Sequence, residues 1–220
     1  MGIVKDLQNL FFLEKLCLFC RDENRLDQGY ICASCREKVE FIHKELEVNI
    51  PYVEKAYYSV FYNRFIKDKI HAFKYKGKIH LYKAFGHMMI TTIYQYNLQG
   101  EIDAIAFVPM HRRKEALRGY NQAKLLGEYL AKELKKPLLK KNLVKIKDTK
   151  DQNKLSKVER RVNLMDSFKG INSHQFSGKK ILLVDDIITT GTTISECGKA
   201  LVKGGASKIY GIAITSTMKA

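Results

Sequence analysis

The run Ile181-Leu182-Leu183-Val184-Asp185-Asp186-Ile187-Ile188-Thr189-Thr190-Gly191-Thr192-Thr193 constrains this chain more than any other stretch. Its four apolar residues suit a strand buried on both faces, as in a parallel sheet. That strand delivers two adjacent carboxylates to its C-terminal end. A short hydroxyl-rich loop follows, and Ile194 to Val202 then predicts a helix. Backbone N–H groups of residues 189–193 would converge at the helix N-terminus, where the dipole favours an anion. Gly191 permits close approach of the backbone, and the threonine hydroxyls add donors. The layout suits a phosphorylated sugar, with phosphate on the loop and hydroxyls on the carboxylates. Two plainer readings compete. One is the strand-end aspartate of open-sheet nucleotide and response-regulator-like folds. The other is the Walker-B strand of a P-loop ATPase, which requires a Gly-x4-Gly-Lys-Ser/Thr partner. None exists here, since Gly198-Lys199 is followed by Ala200.

The flanking sequence alternates strand and helix patterns. Strands are expected over Tyr52–Tyr62, Ile102–Val108, part of Leu138–Ile146, Lys179–Asp185 and Lys208–Thr215. Helices are expected over Arg64–Tyr75, Ile79–Tyr96, Tyr120–Leu134 and Lys157–Leu164, with Gly204-Gly205 ending the helix after the Thr/Gly loop. This order predicts an α/β fold, a mostly parallel sheet flanked by helices, with its crevice at the C-terminal strand ends. Nearer the N-terminus, residues 3–12 suggest an amphipathic helix, and Ala33–Ile42 reads as another, with Val39, Phe41 and Ile42 on its apolar side.

Cys17-Leu18-Phe19-Cys20 and Cys32-Ala33-Ser34-Cys35 form two Cys-x2-Cys knuckles. Each folds two thiolates toward one point, and two such pairs complete a zinc tetrahedron. A redox motif needs only one pair, and disulfides do not suit a reducing compartment. With all four ligands cysteine, no position is left for a catalytic water, so the zinc is expected to be structural. Nearby charges, Arg21, Arg25, Arg36 and Lys38 against Asp22, Glu23, Asp27 and Glu37, balance. That favours folding or docking over reading of bases. The expected division is a zinc-binding module at 1–50 and an α/β domain at 51–220. Cys197 reads as a small core residue.

Charge is unevenly spread. Residues 1–55 carry 8 Lys/Arg and 10 Asp/Glu, whereas the net charge of the chain is +16. The basic excess therefore belongs to the main body, in clusters at Arg64–Lys83, His111–Arg118 and Lys140–Arg161. Solubilising surface charge explains a modest excess; one this large also suits a polyanion such as single-stranded DNA. Arg112, Arg113 and Lys114 are the nucleic-acid candidates. Tyr57, Tyr58, Phe61, Tyr62, Phe73 and Tyr75 are candidates for base stacking, against their plainer reading as core. No apolar run approaches the roughly 20 residues of a membrane span, and the N-terminus lacks a signal-peptide charge pattern, so no membrane insertion and a cytoplasmic location are expected.

The opening run resembles, element by element, the type I phosphoribosyltransferase fingerprint for 5-phosphoribosyl 1-pyrophosphate (PRPP). The resemblance implies that Asp185 and Asp186 hold the ribose hydroxyls at the catalytic centre, that Thr189, Thr190, Gly191, Thr192 and Thr193 cradle the 5′-phosphate, and that Mg²⁺ accompanies PRPP. A second anion site is then needed for pyrophosphate. The segment His111–Gln122 offers cations and a Gly before a helix, and the polar, basic segment Asp148–Asn163 suits a mobile lid. Further motifs narrow the resemblance: the cysteine knuckles, Val108-Pro109, Arg118-Gly119-Tyr120-Asn121-Gln122, Gln152-x2-Leu155, Arg160-x2-Asn163-Leu164 and Phe168. Together they resemble the ComF family from Cys17 to about Thr215. Met110 departs from that family's frequent Val-Pro-Leu ending. The resemblance implies a competence factor handling incoming single-stranded DNA, with a ComFA-type helicase-like ATPase as partner. It adds Arg118, Gln122, Gln152 and Arg160 to the PRPP-binding set. The rival expectation is an active phosphoribosyltransferase acting on an acceptor that the sequence does not identify.

Overall fold

The computed structural model describes residues 16–22, 30–149 and 157–218. The expected helix over residues 3–12 lies outside them, as do Gln152 and Leu155 of the polar segment.

The centre is a six-stranded sheet. Its strands are β1 (Phe41–Glu45), β2 (Lys55–Phe61), β3 (Ala104–Phe107), β6 (Lys180–Val184), β7 (Ile187–Ile188) and β8 (Lys208–Ser216). They lie in the order β1-β2-β8-β6-β3, with β7 also beside β8. All pairings are parallel except β1 with β2. A separate antiparallel pair joins β4 (Leu143–Lys145) and β5 (Phe168–Gly170). The helices are α1 (Ala33–Arg36), α2 (Arg64–Tyr75), α3 (Leu81–Gln95), α4 (Leu98–Glu101), α5 (Arg112–Arg118), α6 (Gln122–Leu134), α7 (Lys157–Leu164) and α8 (Thr192–Lys203). Among the described residues none is long and apolar enough to cross a membrane.

The strand pleat sorts the apolar run of β6 between two cores. Leu182 and Val184 pack with Phe73, Phe85, Met89, Leu126 and Leu130 from α2, α3 and α6. Ile181 and Leu183 pack with Ile194 and Leu201 of α8 and with Leu143 and Phe168 of the small hairpin. All four are fully buried, each contributing roughly 1.5–3 kcal/mol. Helix α2 follows from its sequence just as directly. Asn63 Oδ1 accepts from Ile66 N–H at 2.9 Å, and Ile66, Ile70 and Phe73 make the buried stripe. Gly86 lets α3 and α6 meet, since a Cβ there would lie 2.4 Å from the Tyr129 ring.

The expected helix over Ala33–Ile42 is corrected. It ends at Arg36, and Phe41–Glu45 forms an edge strand. The apolar spacing of Val39, Phe41 and Ile42 fits a helix face, but pairing with the next strand decides the outcome: Phe41 lies opposite Val60, and Glu40 C=O accepts from Phe61 N–H at 2.9 Å.

Candidate functional site

Parallel strands end together, so β6 and the segments after β3 and β8 open onto one crevice. There a cavity of about 600 Å³ is lined by Asp185, Asp186, Thr189, Gly191, Thr193, Lys114, Arg118 and Gln122. Those sequence-predicted residues are thus brought together. Thr190 and Thr192 are not in its wall; their hydroxyls bond each other at 2.9 Å and stiffen the loop. Arg112 and Arg113 also lie off the cavity, both exposed on α5, with Arg113 donating to Asp148 at 3.4 Å. Arg160 falls on α7.

The ladder carries past Val184, where Asp185 N–H donates to Ile212 C=O at 2.9 Å. Asp186 N–H then turns back and donates to Asp185 Oδ1 at 2.8 Å. Asp185 is crowded by protein. Its burial, and then the charge of Asp186, push its carboxyl up to about 8, against the pull of Lys74. Lys74, next to last in α2, meets Asp186 directly, with Nζ 2.7 Å from Oδ1 and side chains only 20% and 13% exposed. Burial works against the Lys74 ammonium, but the charge and hydrogen bond of Asp186 outweigh it and raise its pKa.

At the loop, Gly191 takes φ +72° as the residue before α8, a conformation that favours glycine. Gly191 gives the helix no side-chain cap; Thr192 N–H donates to Thr190 Oγ1 at 3.5 Å, and the N–H groups of Thr193 and Ile194, both residues of the cavity wall, are placed to receive an anion. Behind α8's first turn, burial and the nearby Asp185 raise the Cys197 thiol, which is enclosed in the core.

The Arg-Gly-Tyr-Asn-Gln segment has a role that the sequence did not reveal. Tyr120 OH donates to Phe73 C=O, and Gln122 Nε2 donates to the same oxygen at 3.4 Å. Arg118 Nη1 donates to Gln122 Oε1 at 2.8 Å, and its guanidinium lies 4.8 Å from the Tyr75 ring centroid. Asn121 caps α6 and donates to Val108 C=O at 3.1 Å. The segment therefore clamps the end of α2 on either side of Lys74. Sequence reasoning missed Lys74 and Lys145 as cavity residues, whereas Tyr62 and Tyr75, singled out for base stacking, also line the cavity. Lys74 looked like any other lysine of its basic cluster. Of the stacking candidates, Tyr57, Tyr58 and Phe73 are core, while Phe61 and Tyr75 are each 49% exposed.

The four knuckle cysteines gather at a second place, and their Sγ atoms all lie within 4.8 Å of one another. Cys20 and Cys32 Sγ are 3.7 Å apart, close to the roughly 3.8 Å edge of a tetrahedron with Zn–S near 2.3 Å. Cys32 N–H donates to Cys17 Sγ at 3.3 Å, a contact that favours thiolate. Burial raises the Cys17 thiol, but backbone hydrogen bonds from Cys20, Cys32 and Phe19 outweigh it and bring it down to about 6. Burial and the neighbouring sulfurs push the Cys35 thiol up. The donor set fits zinc. Between the first two cysteines, Phe19 packs on Phe65 and Phe85 at centroid distances of 5.6 and 5.5 Å, and its C=O accepts from Lys69 Nζ at 2.7 Å.

A parallel sheet ending on an acid pair and a Thr/Gly helix start defines a phosphoribosyltransferase-type domain, and a family model described as phosphoribosyl transferase domain matches residues 124–217. The relatives add the rest of the chain. Competence protein F of Haemophilus influenzae is 25% identical, covering 90% of this chain and 95% of its own. Competence protein ComFC of Bacillus subtilis is 28% identical over 87% of this chain and 80% of its own. DNA utilization protein YhgH of Escherichia coli O157:H7 is 32% identical over 49% of this chain and 46% of its own. The chain is thus similar over most of its length to competence proteins of the ComFC type, and over residues 124–217 to the phosphoribosyl transferase domain.

Proposed function

We propose that this protein is a competence factor that handles incoming single-stranded DNA in the cytoplasm, and that its cavity binds PRPP with Mg²⁺. The observation that carries the ligand assignment is the meeting, in one cavity, of an acid pair, a helix start open to an anion, and the cations Lys74, Lys114, Arg118 and Lys145. The ribose hydroxyls donate to Asp185 and Asp186, and the 5′-phosphate rests on the Thr189–Thr193 loop. Pyrophosphate lies toward Lys114 and Arg118, and the resemblance to the ComF family assigns Gln152 and Arg160 to the same ligand. Mg²⁺ arrives with PRPP and neutralises its pyrophosphate. Zinc in the Cys17, Cys20, Cys32 and Cys35 cluster is structural, with thiolates filling every position. The relatives named for competence and DNA utilization, together with the basic body, support the DNA role. A ComFA-type ATPase is the partner that this reading brings with it.

The double variant Asp185→Asn, Asp186→Asn tests the ligand assignment. PRPP–Mg²⁺ binding by calorimetry should vanish while zinc content and fold persist, and unchanged affinity sinks the assignment. For DNA, single-strand affinity should fall steeply with salt and drop further when Arg112, Arg113 and Lys114 become alanine. A salt-independent affinity rules that surface out.

The second reading is transfer of the phosphoribosyl group to an acceptor. The acid pair favours it, because carboxylates beside the ribose can stabilise the positive charge that develops as the C1–O bond to pyrophosphate breaks. Pyrophosphate release from PRPP–Mg²⁺, with and without single-stranded DNA, separates binding from turnover.

A further inference from the structure

Asp185 and Asp186 are neighbours in a confined wall, and two carboxylates so placed repel each other. A ribose diol needs acceptors that are aimed into the cavity before it arrives. The counter-charge does not come from β6, whose residues 181–184 are apolar and whose Lys180, at the other end of the strand, pairs with Glu101. Lys74 supplies it. Its Nζ reaches Asp186 Oδ1 from the far end of α2, within the cavity wall.

The position of this ammonium is not left to a flexible stem alone. Phe73, immediately before it, is fully buried against Phe85 and Tyr120, at centroid distances of 5.9 and 6.0 Å. The Phe73 carbonyl takes hydrogen bonds from Tyr120 and Gln122, and the ring of Tyr75, immediately after, lies against Arg118. Lys76 follows as an exposed residue where the helix has already ended. Of the two lysines flanking Tyr75, one is anchored on the acid pair and the other faces solvent.

We propose that Lys74 is a positioning residue of the ribose site, one that holds the Asp186 carboxylate aimed at the cavity and yields it to the sugar hydroxyls on binding. The inference rests on the assignment of the acid pair to a ribose diol. The charged and titratable groups round the pair are Lys74 from α2, Lys145 from β4, Cys197 from α8, and Lys114 and Arg118 across the cavity. Among the described residues, Lys74 makes the ion pair with Asp186. An arginine can keep that contact, whereas a methionine keeps the stem and loses the charge.

The test uses the full chain with its zinc, as wild type and as Lys74→Met, Lys74→Arg and Lys76→Met. PRPP–Mg²⁺ calorimetry should show at least a tenfold loss for Lys74→Met, recovery to within about threefold for Lys74→Arg, and near wild-type affinity for Lys76→Met, which removes the same charge outside the wall. In parallel, the ¹³C carboxyl resonance of Asp186 in ligand-free protein should move in Lys74→Met alone. Equal losses for Lys74→Met and Lys76→Met would mean bulk charge and overturn the proposal. So would an Asp186 resonance indifferent to Lys74, or a loss that arginine does not rescue. Should wild type itself fail to bind PRPP–Mg²⁺, the ligand assignment falls, and the Asp186 resonance still decides the role of Lys74. If Lys74→Met does not fold, Lys74→Arg carries the test: an unmoved resonance with retained affinity supports the pairing, and a tenfold loss with the fold intact refutes it.

Discussion

Asp185 is held where a carboxylate is costly to ionise. Its pKa rises from the ordinary carboxylate range to about 8, through burial first and the charge of Asp186 second. The native chain therefore keeps a proton that the unfolded chain releases. Stability linked to this group is greatest at low pH and is lost as pH rises from about 4 to about 8. Asp185→Asn cannot ionise, so it should melt higher than wild type by a margin that grows across that window and levels off above it. Thermal melts at several pH values check this, and a constant margin counts against the assignment. The same variant should lose PRPP, a trade of function against stability. At this scale the sequence was most legible where chemistry is local. The acid pair, the Thr/Gly loop and the four cysteines announce themselves by spacing alone. Lys74 did not, because its partner is 112 positions away in sequence.

Among the elements, α8 and its loop bear the tightest constraint. Gly191 combines φ +72° with Ile50, whose Cγ1 would lie 3.1 Å from an added Cβ. Gly191→Ala should cost about 1–2 kcal/mol in urea unfolding and weaken PRPP–Mg²⁺ further, since the loop backbone must shift. A stable variant with full affinity argues against a phosphate seat there. Helices α2 and α7 fall at their expected ends, Arg64–Tyr75 and Lys157–Leu164. The edge strand β1 was not legible, because its residues satisfy a helix pattern and only β2 selects the strand. The short helix α5 was hidden for a similar reason. It buries no residue, and Leu117 on it is 90% exposed, so no apolar stripe marks it.

At the scale of the molecule, α2 links the two candidate sites. Its Phe65 and Lys69 meet Phe19 between the cysteines, and five residues beyond Lys69 its Lys74 meets Asp186. No cysteine of the cluster lines the cavity, yet loss of the metal should be felt there. Cys17→Ser, or chelation, should lower the melting temperature and weaken PRPP–Mg²⁺ by several-fold through a less ordered α2. Zinc-free protein with an unaltered melt and unaltered affinity contradicts this. The α/β order of the body was legible in the alternation of patterns, but this linkage was not, because it depends on which residues meet across the fold. It also sets an order of events in the life of each chain. If the two sites are coupled in this way, a newly made copy would reach its full grip on the ligand only after capturing its metal, metal supply would become a maturation step, and copies starved of zinc would accumulate as full-length protein with a slack binding site.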